Sequence, residues 1–135
     1  GPEKKKLMKI SKNNISFLNY QDDLSIKNLM ESCRAFVYSG TEDFGIAPVE
    51  AMAAGVPVLH GVRGESEEIV RSKKVGVCFT PQDPLSLLEA IRRMRTDDSC
   101  EDFKFNCLEG AKDYDRETFA DTMLTCLEEL RAKHV

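Results

Sequence analysis

The stretch AFVYSGTEDFGIAPVEAMAAGVPVLH, residues 35–60, decides the fold. Ala35-Phe36-Val37-Tyr38 is a short apolar run rich in aromatic and β-branched residues, which reads as a buried strand. Ser39 to Phe44 is a polar loop. From about Ile46 to Ala54 the apolar spacing is helical, and Gly55 stands at the C′ position where a left-handed residue ends a helix. Val56 to His60 is the next strand. Strand, helix, strand in this order is the βαβ unit, which places its two strands parallel in one sheet.

The same alternation continues on both sides. Upstream, Glu3 to Lys12 reads as a basic helix that stops at Asn13-Asn14, and Ile15-Ser16-Phe17-Leu18 reads as a short strand. Asp22 caps a helix whose Ile26, Leu29, Met30 and Cys33 follow the i, i+3, i+4, i+7 pattern. Downstream, Glu65 to Val70 is a short helical turn and Val75 to Phe79 another strand. Asp83-Pro84 opens a helix lined by Leu87, Leu88, Ile91 and Met94. Two further helices, Phe103 to Lys112 and Glu117 to Ala132, follow; the second carries Phe119, Met123, Cys126, Leu127 and Leu130 on one stripe. The expected class is α/β, a Rossmann-like parallel sheet of about four strands with flanking helices. Residues 1–135 form one domain, with 99–135 as its C-terminal helices.

Composition narrows the function. Of 135 residues, 41% are hydrophobic and 31% charged, which excludes a disordered tail or a disulfide-stapled miniprotein. Nineteen Lys+Arg against 23 Asp+Glu leave a net charge of -4, a poor surface for nucleic acid. The five cysteines, Cys33, Cys78, Cys100, Cys107 and Cys126, are odd in number and lack metal or redox spacing. Most stand among apolar neighbours, as small core residues do, and are expected to be reduced thiols. The longest apolar run, Gly45 to Val58, is broken by Glu50 and two prolines and cannot span a bilayer. With no leader pattern at its start, the chain is expected to be cytoplasmic.

In open parallel sheets, ligands bind where strands run into helix N-termini. The richest such junction here is Ser39 to Glu50. Gly45 allows close backbone approach, and Pro48 falls early in the helix, where no N–H is needed. The remaining free N–H groups and the helix dipole suit a phosphate or hydroxyl oxygens. Glu42 in the loop and Glu50 in the helix could accept hydrogen bonds from vicinal sugar hydroxyls. The plainer reading is that both are solvated acids near a helix start, and spacing alone does not choose between the two.

The run from Glu42 through Glu50 to Val58 resembles the Glu-x7-Glu signature of the retaining, family 4-type glycosyltransferases of the GT-B fold, including its Glu-Ala-Met-Ala-x-Gly-x-Pro-Val tail. Gly1-Pro2-Glu3 is similar to that family's Gly-Pro turn, and Phe17-Leu18-Asn19-Tyr20 to its Phe-Leu-Gly-Tyr strand end. Arg63 to Glu67 stands where it has a Gly-Gly-x-Pro-Glu loop. Gly76-Val77 through Asp83-Pro84-Leu85 is similar to its next conserved segment. The resemblance covers nearly the whole chain.

The resemblance implies the C-terminal, nucleotide-sugar-binding part of a transferase that retains anomeric configuration and needs no metal or other cofactor. Glu50 would bind the ribose of the donor, and Glu42, in the catalytic position, would hydrogen-bond the transferred sugar. Backbone groups of Phe44, Gly45 and Ile46 would contact sugar and diphosphate, while those of Leu18, Asn19 and Tyr20 would border the base. The wording leans toward mannosyltransferases that use GDP-mannose. Three features depart from the family: the loop at 63–67 lacks the first Gly and the Pro, Tyr38 replaces a Pro, and the diphosphate-binding Arg and Lys would lie upstream of residue 1. An N-terminal domain that binds the acceptor, a sugar or a lipid-linked glycan, is expected outside these residues.

Other candidates are weaker. His60, ending its strand on the ligand side, is either a phosphate donor or a polar neighbour. Ser39 and Ser66 have no His–acid partners by pattern. Lys4-Lys5-Lys6 reads as a solvated helix face, with peripheral membrane contact as the alternative. Two function classes stay open: the donor portion of an enzyme, and a non-catalytic Rossmann-like module such as one subunit of a split transferase. The family's strand order, 3-2-1-4-5-6, would separate 15–18 from 35–38. The expectation is that these two pair directly, with completion by another copy or a partner chain as the alternative.

Overall fold

The computed structural model describes residues 2–40, 45–61, 66–96 and 100–133. Three short strands, β1 (Phe36–Tyr38), β2 (Val58–Gly61) and β3 (Gly76–Phe79), form a parallel sheet in the order β1-β2-β3. The register sets Phe36 beside Val58 and Tyr38 beside His60, then Val58 beside Gly76 and His60 beside Cys78. Helix α3 (Ile46–Ala53) joins β1 to β2, and α4 (Ser66–Ser72) joins β2 to β3. Helices α1 (Lys4–Ile10) and α2 (Asp23–Ser32) precede the sheet; α5 (Pro84–Thr96), α6 (Cys100–Lys112) and α7 (Arg116–Lys133) follow it. The expected α/β class is therefore observed.

Side-chain alternation sorts the core into two layers. On one face, Val58 packs with Ala51 and Met52 of α3, Ile69 and Val70 of α4, and Cys107 of α6, with Phe36 and Cys78 against them. On the other, Leu59 and Phe79 pack with Ala90 and Met94 of α5 and with Phe103, and Val77 lies against them. β2 is buried throughout because strands flank it on both sides. Local signals hold the helix ends. Asp22 accepts the Ser25 N–H (2.8 Å) at the start of α2, and Asp83 accepts the N–H groups of Leu85 and Ser86 (2.9 and 3.2 Å) at the start of α5. After α3, Gly55 takes φ 72°, and the N–H groups of Gly55 and Val56 return to the carbonyls of Met52 and Ala51.

Two expectations fail. Residues 15–18 are not a strand, and they do not pair with β1, whose sheet neighbour is β2. Strand is a relation between backbones, and among the described residues the ladder hydrogen bonds join only β1, β2 and β3. It follows the turn closed by the Ile15 N–H on the Lys12 carbonyl (3.1 Å), with Ile15 and Leu18 more than half exposed. Lys4 Nζ donates to Asn19 Oδ1 (2.6 Å), tying the segment to α1 instead. The sheet thus has three described strands rather than four. The second failure is Cys126. Its apolar neighbours suggest a small core residue, yet it is exposed on α7, a helix that buries no residue.

Candidate functional site

The strand ends of β1 and β2 and the start of α3 meet at the edge of the sheet where parallel α/β proteins bind ligands. Gly45 makes the junction. It is buried, and its φ of 76° and ψ of 78° place it in the left-handed region that favours glycine. It caps α3 without a side chain, so the first-turn N–H groups of Ile46 and Ala47 receive no side-chain cap from it. Pro48, buried in the same turn, has no N–H to satisfy. Glu50 follows Ile46 by four residues, about 6 Å along the same helix face. Its carboxylate side is exposed. Gly45, Ile46 and Glu50 therefore lie at the start of one helix, Gly45 as its cap and the other two within its first five residues.

Glu50 also forms one wall of a cleft of about 340 Å³ between α3 and α2, with Ala53 and Ala54 beside it. Asp23, Ile26, Lys27, Met30 and Glu31 form the other wall. Leu18, Asn19 and Tyr20 lie just before that second wall. Tyr20 is 90% exposed, and Gln21 Nε2 donates to the carbonyls of Asn19 (3.3 Å) and Tyr20 (2.9 Å). Of the other expected site residues, Glu42 and Phe44 lie outside the described residues, as do Arg63, Gly64 and Glu65 of the second loop.

Beneath this edge runs a row that the sequence announces only at His60. Tyr38, His60 and Cys78 stand side by side on three adjacent strands. His60 is fully buried, with its ring centroid 5.5 Å from that of Tyr38 and tilted by 45°. Burial holds the His60 imidazole below its ordinary pKa, partly offset by a hydrogen bond with the Gly61 backbone and by the Glu67 carboxylate. Glu67 accepts the Arg71 Nε–H (2.7 Å) along α4, which raises the guanidinium further. Burial also pushes the Cys78 thiol up, against the pull of Arg71. The signal available for Cys78 was its strand register with His60, which only a correct sheet order reveals.

A second cleft, about 610 Å³, borders the other flank of α3. Ile46 and Val49 face Tyr114, Arg116 and Phe119 across it. Among the described residues no group of three or more His, Cys, Asp or Glu is arranged to hold a metal ion. No described helix is long and apolar enough to cross a membrane.

Comparison with known proteins gives a consistent picture. The family described as "Glycosyl transferases group 1" matches residues 1–108. An uncharacterized glycosyltransferase of Methanocaldococcus jannaschii is 32% identical over 84 residues, 62% of this chain and 22% of that protein. The alpha-1,3/1,6-mannosyltransferase ALG2 of Rhizomucor pusillus is 35% identical over 79 residues, 58% of this chain and 17% of that protein. Among solved structures, sucrose-phosphate synthase from Thermosynechococcus elongatus superposes with a TM-score of 0.77 at 24% identity, over 96% of this chain and 34% of that one, a likeness of fold. The chain thus spans about a fifth of the length of these two sequence relatives.

Proposed function

The chain belongs to the group 1 glycosyl transferases, and on that premise we propose that it is the donor-binding portion of a retaining hexosyltransferase. Its substrate is a nucleoside-diphosphate sugar, with mannose as the favoured hexose. The observation that carries this reading is the left-handed Gly45 opening α3, with Glu50 one turn further along the same helix. Helix-start N–H groups and a helix dipole suit the oxygens of a diphosphate or sugar. A carboxylate one turn away suits the two hydroxyls of a ribose, because charge-assisted hydrogen bonds to vicinal oxygens are both strong and directional. Glu42 is assigned to the hydroxyls of the transferred sugar. The similarity to a mannosyltransferase of Rhizomucor pusillus supports the choice of hexose.

Such a portion works by holding the donor and stabilising the leaving diphosphate. The acceptor, a sugar or a lipid-linked glycan, is assigned to surfaces in the remaining length of the longer polypeptide. Calorimetric titration with GDP and UDP tests the reading. Nucleoside diphosphate should bind, GDP the better of the two, and Glu50→Ala should weaken binding by about 1–3 kcal/mol through the lost hydrogen bonds. Unchanged affinity in that variant would remove Glu50 from the ribose.

A further inference from the structure

We infer, on the donor-binding reading of Gly45, Ile46 and Glu50, that Lys73 is a positioning residue for that site: it clamps the corner between α6 and α7 against the helix that carries them. Lys73 directly follows α4, whose hydrogen bonding continues through the Lys73 N–H to the Ile69 carbonyl (3.2 Å). Its aliphatic stem runs against α6 at Gly110, where a Cβ would lie 2.9 Å from Lys73 Cδ. The ammonium emerges at the corner. There it donates to Asp113 Oδ2 and stands 5.7 Å from the centroid of the Tyr114 ring. The Lys73 side chain is only 23% exposed, so both contacts are partly shielded from water.

The corner is held together by its own hydrogen bonds. The N–H groups of Tyr114 and Asp115 donate to the carbonyls of Ala111 (3.0 Å) and Lys112 (3.3 Å). Asp115 Oδ1 accepts the Thr118 N–H (2.7 Å), and Thr118 Oγ1 donates to the Lys112 carbonyl (3.0 Å). Fixing Asp113 and Tyr114 therefore fixes the end of α6 and the start of α7 together.

This corner faces α3. Tyr114 packs against the core layer that contains Ala51 and Met52, and a Cβ on Gly110 would lie 3.1 Å from Met52 Cε. Near the helix start, Tyr114 and Arg116 face Ile46 and Val49 across the second cleft. A cleft rather than packed core borders α3 there, and Ile46 is 67% exposed. The helix rests instead on Pro48, Ala51 and Met52, all buried. What keeps Gly110 and Tyr114 on those residues keeps the helix start in place. The first-turn N–H groups and the Glu50 carboxylate must meet different parts of one donor at once, so a small tilt of α3 spoils one contact or the other.

Calorimetric titration with GDP, together with amide hydrogen exchange over residues 45–53, tests this. Lys73→Met keeps the stem and removes the charge. It should weaken GDP binding about five- to tenfold, the worth of roughly one hydrogen bond, and speed exchange over 45–53. Asp113→Asn should act in the same direction. The double variant should lose no more than Lys73→Met alone, because the two residues form one contact. Met94→Ala, in the other core layer, should lower the thermal midpoint yet bind GDP within about twofold of the wild type. Unchanged GDP affinity in Lys73→Met overturns the inference even if exchange is faster, and leaves Glu50 and the α3 start as the donor site. Exchange over 45–53 that stays at the wild-type rate overturns it too, as do losses that add in the double variant or an equal loss in Met94→Ala. A wild type that binds neither GDP nor UDP removes the donor site itself, and with it anything for Lys73 to position.

Discussion

Gly76 in β3 stands so close to Val58 in β2 that a Cβ on Gly76 would lie 1.8 Å from the Val58 carbonyl oxygen and 2.7 Å from its carbonyl carbon. Both obstacles are backbone, so no rotamer change relieves them. A side chain here would force β3 away from β2, the strand that carries His60 to the ligand edge. Gly76→Ala should therefore cost on the order of 3 kcal/mol or more. Gly40→Ala meets only the Tyr38 ring and hydroxyl, 2.9 Å away at the nearest atom, which can swing aside, and should cost far less. Urea denaturation of the two variants measures the difference, and similar midpoints would contradict the packing argument.

The Cys107 thiol donates to the carbonyls of Val56 (3.4 Å) and Val75 (3.5 Å) from a fully buried site. Burial pushes its pKa up to about 12 from 9.0. The folded chain holds the neutral thiol, so this contribution is present below pH 9.0 and is lost as pH rises toward 12. At neutral pH a disulfide reagent should label Cys33 and Cys126, both exposed, within the native chain. Cys107 should react only after denaturant is added. Equal labelling rates for Cys107 and Cys33 in native buffer would count against the buried placement.

Much of this fold is legible because its signals are local. Asp22, Asp83 and Gly55 mark helix ends by chemistry that acts within a few residues, and each acts where the sequence places it. The failures concern relations between distant segments. Ile15 to Leu18 has strand composition, but composition supplies no partner backbone. Cys126 has apolar neighbours on one stripe of α7, but a shared stripe says which residues lie on one face and not what covers it. The site divides in the same way. Gly45, Ile46 and Glu50 lie on one helix and could be read directly. The Tyr38–His60–Cys78 row depends on the register of three strands, so only His60, at a strand end, stood out from the sequence.

The left-handed conformation of Gly45 gives a further prediction. An L side chain at φ 76° costs about 1 kcal/mol, and the chain can relieve the strain by unwinding the first turn of α3. Gly45→Ala should thus lower stability modestly and nucleoside-diphosphate affinity by more, since the N–H groups of Ile46 and Ala47 would lose their aim. Thermal melts with and without GDP separate the two effects. A variant destabilised in the melt yet binding GDP as tightly as the wild type would detach the helix start from the ligand.

His60 supplies the pH dependence. Burial, the first cause, holds its folded pKa below the ordinary 6.5, while the Gly61 backbone and the Glu67 carboxylate pull the other way. Tyr38 from β1 and Cys78 from β3 stand beside it in register, with Glu67 on α4. With a lowered folded pKa, the unfolded chain takes up the proton first as pH falls below 6.5, so the native state is progressively disfavoured down to the folded value. Above 6.5 both states are neutral and the contribution is level. The capping carboxylates Asp22 and Asp115 also lose stability in acid, but their ordinary value is 3.8 and their folded values are lower still, so their window lies apart. Urea midpoints measured from neutral to mildly acidic pH should fall for the wild type, while His60→Gln, which removes the titrating group at similar size, should keep a flat profile there. An equal acid-side fall in both would place the titration elsewhere.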